Sequence, residues 1–481
     1  MDESTLKDKT AKGLLWGGLS NAVQQVLNMI FGICLARLLT PADYGLVGML
    51  YIFSLIASTL QESGFTAALT NKKEITHEDY NAVFWFSVLT GVVLYAILFF
   101  CAPLIAIYYH QPVLTALSRY LFLGFVVSSV GIAHNAYLFR NLKVKQNALI
   151  AMTGLIISGI SGVSMAFAGM AYWGLATQSL IYVVCITIGR WWLSGFRPTL
   201  PIDLHPLKGL LSFSSKVLFA NIVTNINNNV LSVILGRYYS AKEVGYYNQA
   251  NKWNCMGYFT IQNMVNGVAQ PVLHGVSEDG ERQQRVFRKM LRFTSFISFP
   301  CMFGLALVAP QLITITVTDK WAASASLLQV ICLGGAILPL QNLYSNLILS
   351  KGRSDICLWN TLVFGIVQVV AVLLCADYGM RVMVQAYVGI NVLWLGVWHF
   401  WVWREIHLSL WSALKDILPY AFLAGAIMIG VCYITAPIAD VYLLFITRIA
   451  LAAMLYVLAM QLTGSATYRE CLQYLFKRKK S

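Results

Sequence analysis

The sequence has 481 residues, of which 58% are hydrophobic and only 11% are charged, and its formal net charge at pH 7 is +14. Soluble domains have roughly 25% charged residues, so this composition excludes an ordinary soluble protein. Apolar runs of about 20 residues recur along the chain, and a helix of that length crosses a bilayer. We therefore predict an all-α polytopic membrane protein.

Fourteen spanning helices are predicted, joined by short connections. In chain order they lie near 14–36, 44–63, 82–102, 114–135, 148–169, 172–193, 212–235, 246–273, 293–317, 326–349, 356–376, 382–403, 416–435 and 441–463. The first run is about 22 residues long, which exceeds the apolar part of a cleavable signal peptide, and no small-residue cleavage site follows it. It is therefore predicted to be the first span.

The Lys and Arg residues indicate the orientation of these spans. With the N-terminus in the cytoplasm, 25 of the 34 Lys and Arg residues fall in cytoplasmic segments, six fall outside and three lie within spans. Cytoplasmic loops of membrane proteins are enriched in these two residue types. We therefore predict that both termini are cytoplasmic. The positive net charge then needs no nucleic-acid partner, because the basic residues face anionic lipids.

Two similar turns lie 200 residues apart, LARLLTPADYG at 35–45 and LGRYYSAKEVG at 235–245. Identical residues occur at Leu35/Leu235, Arg37/Arg237 and Gly45/Gly245, and similar ones at Thr40/Ser240 and Asp43/Glu243. The offset corresponds to six spans, an even number, so the two copies have the same orientation and form a parallel repeat. We predict two pseudo-symmetric six-helix lobes, 1–205 and 206–405, followed by two more helices and a basic tail at 406–481.

Polar residues recur inside the spans at the same offset. Span 1 carries Asn21, Gln25 and Asn28, and span 7 carries Asn221, Asn225 and Asn228. Spacings of four and seven residues place each set on one helical face. Span 8 carries a longer polar stripe of Asn248, Lys252, Asn263, Asn266 and Gln270, and span 2 ends at Gln61 and Glu62.

Amides and charges within a span need polar surroundings, since hydrocarbon offers no hydrogen-bond partners. Such side chains either bond neighbouring helices together or face water. We favour a hydrated cavity lined by spans 1, 2, 7 and 8, because the polar positions match between the two lobes. Interhelical bonding is the alternative.

Four stretches of the sequence resemble bacterial polysaccharide-export flippases. ESGFTAALTNKKEITHEDYNAVFW (62–85) is similar to the region after their second helix, and VAQPVLHGVSEDGERQQRVFRKMLR (268–292) to the basic loop after their eighth. LALVAPQLITITVTDKW (305–321) and LLQVICLGGAILPLQNLYSNLILSKGRSD (327–355) resemble their helices 9 and 10. The resemblance covers nearly the whole chain. It points to the O-antigen and exopolysaccharide branch of the multidrug/oligosaccharidyl-lipid/polysaccharide exporter superfamily.

The resemblance implies a flippase of the bacterial cytoplasmic (inner) membrane. Such proteins move undecaprenyl-pyrophosphate-linked oligosaccharide repeat units from the cytoplasmic to the periplasmic leaflet by alternating access, for O-antigen, capsule or exopolysaccharide assembly. The lipid-linked oligosaccharide and membrane lipids are then the expected partners, a polysaccharide polymerase and a chain-length regulator are further candidates, and a monomer is expected. The ten cysteines are scattered singly, so no metal site is expected. No cofactor is expected either, and H+ or Na+ is the candidate coupling ion.

Cations at the borders of the spans and inside them are candidates for contact with the substrate pyrophosphate. Arg37 and Arg237 lie at the outer ends of spans 1 and 7, where extension toward lipid headgroups is an equal alternative. Lys252 lies on the polar stripe of span 8, and Arg119 lies early in span 4. Lys216 lies near the cytoplasmic start of span 7, where an interfacial lysine is an equal alternative. A charged residue inside a span is a functional candidate by default.

Glu62 resembles the glutamate that ends the second helix of the related lipid II flippases. It is the first candidate for ion or proton coupling, and pairing with a basic residue is the alternative. Lipid II flippases carry arginines just before this glutamate, whereas this sequence has Ala57, Ser58 and Thr59. The difference favours the polysaccharide branch. Arg448, within span 14, is interpreted either as functional or as an interhelical partner.

Two other functions are weighed against the flippase. A multidrug or cation antiporter of the same superfamily would have twelve helices and buried acids for an organic cation, whereas this sequence has few buried acids. An O-antigen polymerase or ligase would need a large external loop and a concentrated set of acid–base or nucleophilic groups, and the sequence has neither. We therefore predict a transporter rather than an enzyme.

Overall fold

Helices account for the regular structure of the described residues, as the apolar runs of the sequence predict. The computed structural model describes residues 3–62, 69, 75–141, 143–200, 207–465, 467–470 and 473, and this part contains no β-strand. Within it, the side chains of residues 3–15, 17–19, 62, 207–217 and 220 are not described. The predicted all-α polytopic fold is confirmed.

The described residues form sixteen α-helices. They are α1 Glu3–Leu38, α2 Pro41–Glu62, α3 His77–Tyr108, α4 Leu114–Ser129, α5 Ile132–Arg140, α6 Val144–Phe167, α7 Tyr172–Ser194, α8 Leu207–Tyr238, α9 Ala241–Gly275, α10 Gly280–Val317, α11 Ala322–Gly335, α12 Leu338–Ser350, α13 Ser354–Leu374, α14 Met380–Ile406, α15 Leu410–Ile434 and α16 Val441–Leu462. A short 3-10 helix, Asp319–Trp321, joins α10 to α11, and another, Ala376–Tyr378, joins α13 to α14.

Ten helical segments of the described part are long and apolar enough to cross a membrane, and α4 with α5 makes an eleventh if that pair, bent by 46°, is one span. Asp319–Ser350 counts as one of the ten although it contains two helices, α11 and α12. The predicted number of fourteen is reached only if α1, α8 and α9 cross as well. These three long helices are the ones that carry the predicted polar faces, and the number fourteen stays a prediction.

The repeated turn folds in the same way at both of its positions. Before α2, the Thr40 backbone N–H and hydroxyl donate to Asp43 Oδ2 at 2.9 and 2.6 Å, and the Asp43 N–H donates back to Thr40 Oγ1 at 3.3 Å. Before α9, Ser240 and Glu243 make the same three bonds at 3.0, 3.0 and 3.3 Å. Each set is a reciprocal cap that satisfies free N–H groups at a helix start. The repeat is thus a repeated helix-start signal.

The chain forms two compact units, Met1–Gly245 and Tyr246–Ser481. In the first unit, α1 packs on α6, where a Cβ at Gly159 would lie 2.4 Å from the ring of Phe31. α2 packs on α4 through Gln61, whose amide donates to the Phe125 carbonyl and accepts from the Ser128 hydroxyl at 2.7 Å. The predicted lobes 1–205 and 206–405 follow the repeat rather than compactness, and they stay a prediction.

In the second unit, the long helix α10 packs against α11, α15 and α16. Arg288 of α10 makes a two-pronged ion pair with the buried Asp416 of α15, at 2.6 and 3.2 Å. The last two helices, α15 and α16, are therefore held to α10 rather than lying loosely beside it. The basic run 282–292, within the stretch that resembles the loop after the eighth flippase helix, forms the first turns of α10.

Candidate functional site

The amides of α1 are open to their surroundings. Asn21, Gln25 and Asn28 are all exposed, and among the described residues no hydrogen bond ties any of them to a neighbouring helix. The face that packs on α6 is next to them and contains Phe31. Hydrocarbon offers no partner to such amides, so the exposed face of α1 needs either water or a polar ligand. The hydrated cavity itself stays a prediction.

The matched amides of α8 differ in their surroundings: some are exposed, as the cavity interpretation expects, and one bonds a neighbouring helix. Asn221 and Asn228 are exposed, like their counterparts on α1. Asn225 is half-buried, and its amide nitrogen donates to the Thr59 hydroxyl of α2 at 2.8 Å. Two of the three amides are therefore open, and the third bonds two helices together. The residue that completes this bond, Thr59, was not a predicted site residue.

The polar stripe of α9 is divided in the same way within the second unit. Asn263 is exposed, and Lys252 is half-buried. Asn266 is exposed too, but its side-chain oxygen accepts a hydrogen bond at 2.9 Å from Asn346 of α12, which also donates to Asn342 at 2.7 Å. Asn266 thus joins α9 to α12 while keeping part of its amide open.

The predicted arginine pair lies at the ends of α1 and α8, and both side chains are exposed. Arg237 donates to the Tyr108 carbonyl at 2.7 Å and lies within 3.0 Å of the His110 ring nitrogens, with its guanidinium 5.4 Å from the centre of the Tyr108 ring. The carbonyls of a helix C-terminus lack partners within the helix and attract cations. Arg237 therefore caps α3, in addition to any contact with a ligand.

Arg119 lies in α4 and faces α3. Its Nε donates to the Phe99 carbonyl at 3.3 Å, and the guanidinium lies 4.1 Å from the centre of the Phe99 ring. The structure thus gives this cation a cation–π contact and a backbone partner. Two other predicted residues, Glu62 at the end of α2 and Lys216 within α8, have side chains outside the described part of the chain.

Buried carboxylates in the described part are Asp43, Asp79 and Asp416, and each already has a structural partner. Asp43 caps α2, and Asp79 accepts from the Thr76 N–H at 3.0 Å in the cap of α3. Asp416 pairs with Arg288. The described residues also contain no group of three or more His, Cys, Asp or Glu side chains that could hold a metal ion. The exposed amides of α1 and α8 can both donate to and accept from a hydroxyl-rich ligand.

The chain is similar to known proteins along most of its length. A family model described as polysaccharide biosynthesis protein matches residues 34–326. A membrane protein in the cps region of Klebsiella pneumoniae is 25% identical over 89% of this chain and 85% of its own length. The lipopolysaccharide biosynthesis protein WzxC of Escherichia coli K12 is 24% identical over 73% of this chain and 72% of its own length.

Among solved structures, the lipid II flippase MurJ in an inward closed conformation superimposes with a TM-score of 0.77 and 15% identity. The match covers 95% of this chain and all of the MurJ chain. At this identity the likeness shows the fold alone. The described helices of this chain therefore share the fold of MurJ.

Proposed function

We propose that this chain, which belongs to the polysaccharide biosynthesis protein family, is a flippase for undecaprenyl-pyrophosphate-linked oligosaccharide repeat units. It would carry them from the cytoplasmic to the periplasmic leaflet of the inner membrane by alternating access, for O-antigen, capsule or exopolysaccharide assembly. A relative named for lipopolysaccharide biosynthesis supports a sugar-bearing substrate. The observation that carries the proposal is the set of open amides on α1, matched on α8.

These amides suit the chemistry of the headgroup. A sugar presents many hydroxyls that both donate and accept, and an amide side chain can donate and accept at once. Asn21, Gln25 and Asn28 offer such groups along about two turns of α1, and Asn221 and Asn228 do so on α8. The lipid tail can stay in the bilayer while the headgroup moves through water. In this proposal Lys252 and Arg37 attract the pyrophosphate.

The distribution of carboxylates favours this substrate over an organic cation. A cation antiporter needs an acid that is free to meet its substrate or a proton. The buried acids of the described residues are bound in caps or in an ion pair. We retain H+ or Na+ as the coupling ion, with Glu62 as the first candidate to bind it. We also retain a polymerase and a chain-length regulator as partners of a monomeric flippase.

The proposal is tested by replacing Gln25 and Asn28 with Leu in a strain whose own copy of this gene is deleted. The change keeps the approximate size of each side chain and removes its hydrogen bonds, so we expect surface polysaccharide to fall at least tenfold, roughly the effect of losing two hydrogen bonds of about 1 kcal/mol each. Polysaccharide at the surface is quantified alongside the amount of protein in the membrane.

The matched control replaces Val26 and Ile30, exposed apolar residues of the same helix, with Leu, and export should stay at the wild-type level. Purified protein in vesicles gives the direct test, with lipid-linked oligosaccharide from the deletion strain and an impermeant lectin as reporter. Wild-type protein that exposes no additional sugar to the lectin would exclude flipping of this substrate.

A further inference from the structure

The starts of α2 and α9 cross in backbone contact within the first unit. A Cβ added at Gly45 would lie 1.7 Å from the carbonyl oxygen of Ala241, and one added at Gly245 would lie 1.8 Å from the carbonyl oxygen of Pro41. No real side chain tolerates such distances, so only glycine fits at either position. We call this contact, between Pro41–Gly45 and Ala241–Gly245, the glycine crossing.

The crossing is reciprocal. Gly45 and Gly245 are equivalent in the repeat at an offset of 200, and so are Pro41 and Ala241. Each glycine thus contacts the first residue of the other helix, Ala241 of α9 or Pro41 of α2. The same patch is used on both sides, as in a two-fold contact. The two reciprocal caps, at Thr40–Asp43 and Ser240–Glu243, fix the direction of both helix starts at this point.

Beyond the crossing, toward the C-terminus of α2, the helices α2 and α8 stay in close contact. A Cβ at Gly236 would lie 2.6 Å from the ring of Tyr109 and 3.2 Å from Met49 of α2. The contact continues to the bond between Asn225 and Thr59. The crossing is therefore the outermost layer of a seam that ends near the open amides of α8.

We propose that Gly45 and Gly245 form a gate that closes the predicted outer end of the seam. This inference rests on the proposed function, because alternating access requires one end of the pathway to close while the other is open. The absence of side chains at Gly45 and Gly245 lets the two backbones meet and exclude water and sugar. A side chain at either position would hold the end open.

The test measures access to a cysteine below the gate. Asn228→Cys, introduced after the ten native cysteines are replaced, is labelled in intact cells with a membrane-impermeant thiol reagent. We expect Gly45→Ala or Gly245→Ala to raise its labelling rate several-fold and to reduce export. Gly267→Ala is the matched control, because a Cβ there meets no atom within 4 Å, and its labelling and export should equal those of the Asn228→Cys protein without a glycine change. Unchanged labelling in both gate variants would overturn the proposal.

A second measurement keeps the glycines in place, in case a gate variant fails to fold. Ala241→Cys is a small change at the crossing, and we expect slow labelling from outside that reports opening. Leu117→Cys, fully buried in α4, should stay unlabelled. An Ala241→Cys protein that exports polysaccharide but is never labelled would show that this end does not open. The labelling assay does not depend on polysaccharide export. If labelling confirms the gate but the protein exports no polysaccharide, only the proposed substrate is refuted.

Discussion

Arg448 is a buried cation of α16 with neighbours on two other helices. It donates to the Thr435 hydroxyl at 3.2 Å, to the Leu307 carbonyl at 3.1 Å and to the Gln311 side-chain oxygen at 2.9 Å. Of the two interpretations of this residue, the structure supports the interhelical partner. One guanidinium thus joins α10, the end of α15 and α16, because its planar fork offers several donors in fixed directions.

Arg448→Ala should destabilise the protein. The change leaves a cavity and the Gln311 oxygen without its donor, and loss of hydrogen bonds to a charged group costs roughly 2–3 kcal/mol. We expect the unfolding midpoint in detergent to fall by several degrees, with export reduced only in proportion to the protein that remains. Arg448→Met, which keeps most of the volume, should recover part of the loss. An unchanged midpoint with lost export would assign Arg448 to transport instead.

Residues of one type and one spacing take different roles here. Asn221, Asn225 and Asn228 share one predicted face, yet only Asn225 bonds α2. The sequence predicts the face because helical periodicity is local. It does not predict the bond, because Thr59 lies 166 residues away and the partner of an amide depends on helix packing. Gly45 and Gly245 show the same limit, since the repeat marks both glycines but not their contact.

At the scale of elements, the sequence predicts a helix well where the apolar run reaches both ends of that helix. The predicted span at 172–193 is α7, Tyr172–Ser194, and that at 441–463 is α16, Val441–Leu462. Prediction failed where a helix extends beyond the apolar run. The predicted span 293–317 is only part of α10, which begins at Gly280. Hydropathy detects the part of a helix inside the bilayer, whereas the polar turns outside it are stabilised by caps and ion pairs.

One such ion pair holds α15 to the polar turns of α10. The Asp416 side chain is 5% exposed and pairs with Arg288 at 2.6 Å, with Arg292 3.8 Å away. We expect Asp416→Ala to cost about 3 kcal/mol, because it leaves a partly buried arginine without its counter-charge. A double-mutant cycle of Asp416→Ala with Arg288→Ala in thermal unfolding measures the coupling between the two side chains.

The matched control is Arg285, whose ion pair with Glu281 is fully in solvent, with side-chain exposures of 71% and 91%. Arg285→Ala should change the midpoint very little, because exposed pairs contribute at most about 1 kcal/mol. A coupling near zero for Asp416 with Arg288 would mean that α15 is held by its apolar contacts alone.

For the whole molecule, the strongest expectation is one of orientation. The distribution of Lys and Arg predicts that both termini are cytoplasmic. The turns at Thr40 and Ser240, and with them the glycine crossing, would then lie on the periplasmic side. The same arrangement puts Lys320 outside and Glu278 inside, and both residues are exposed.

Single cysteines at these two positions, in the cysteine-free protein, test that orientation. Lys320→Cys should be labelled by an impermeant thiol reagent in intact cells, whereas Glu278→Cys should be labelled only after the cells are permeabilised. The physical reason is that reversing the chain would move 25 of its 34 basic residues away from the cytoplasmic leaflet and its anionic lipids. The reverse labelling pattern would place the glycine crossing at the cytoplasmic end. Gly45→Ala would then open the path from inside, and the Asn228→Cys assay would respond in inverted vesicles rather than in intact cells.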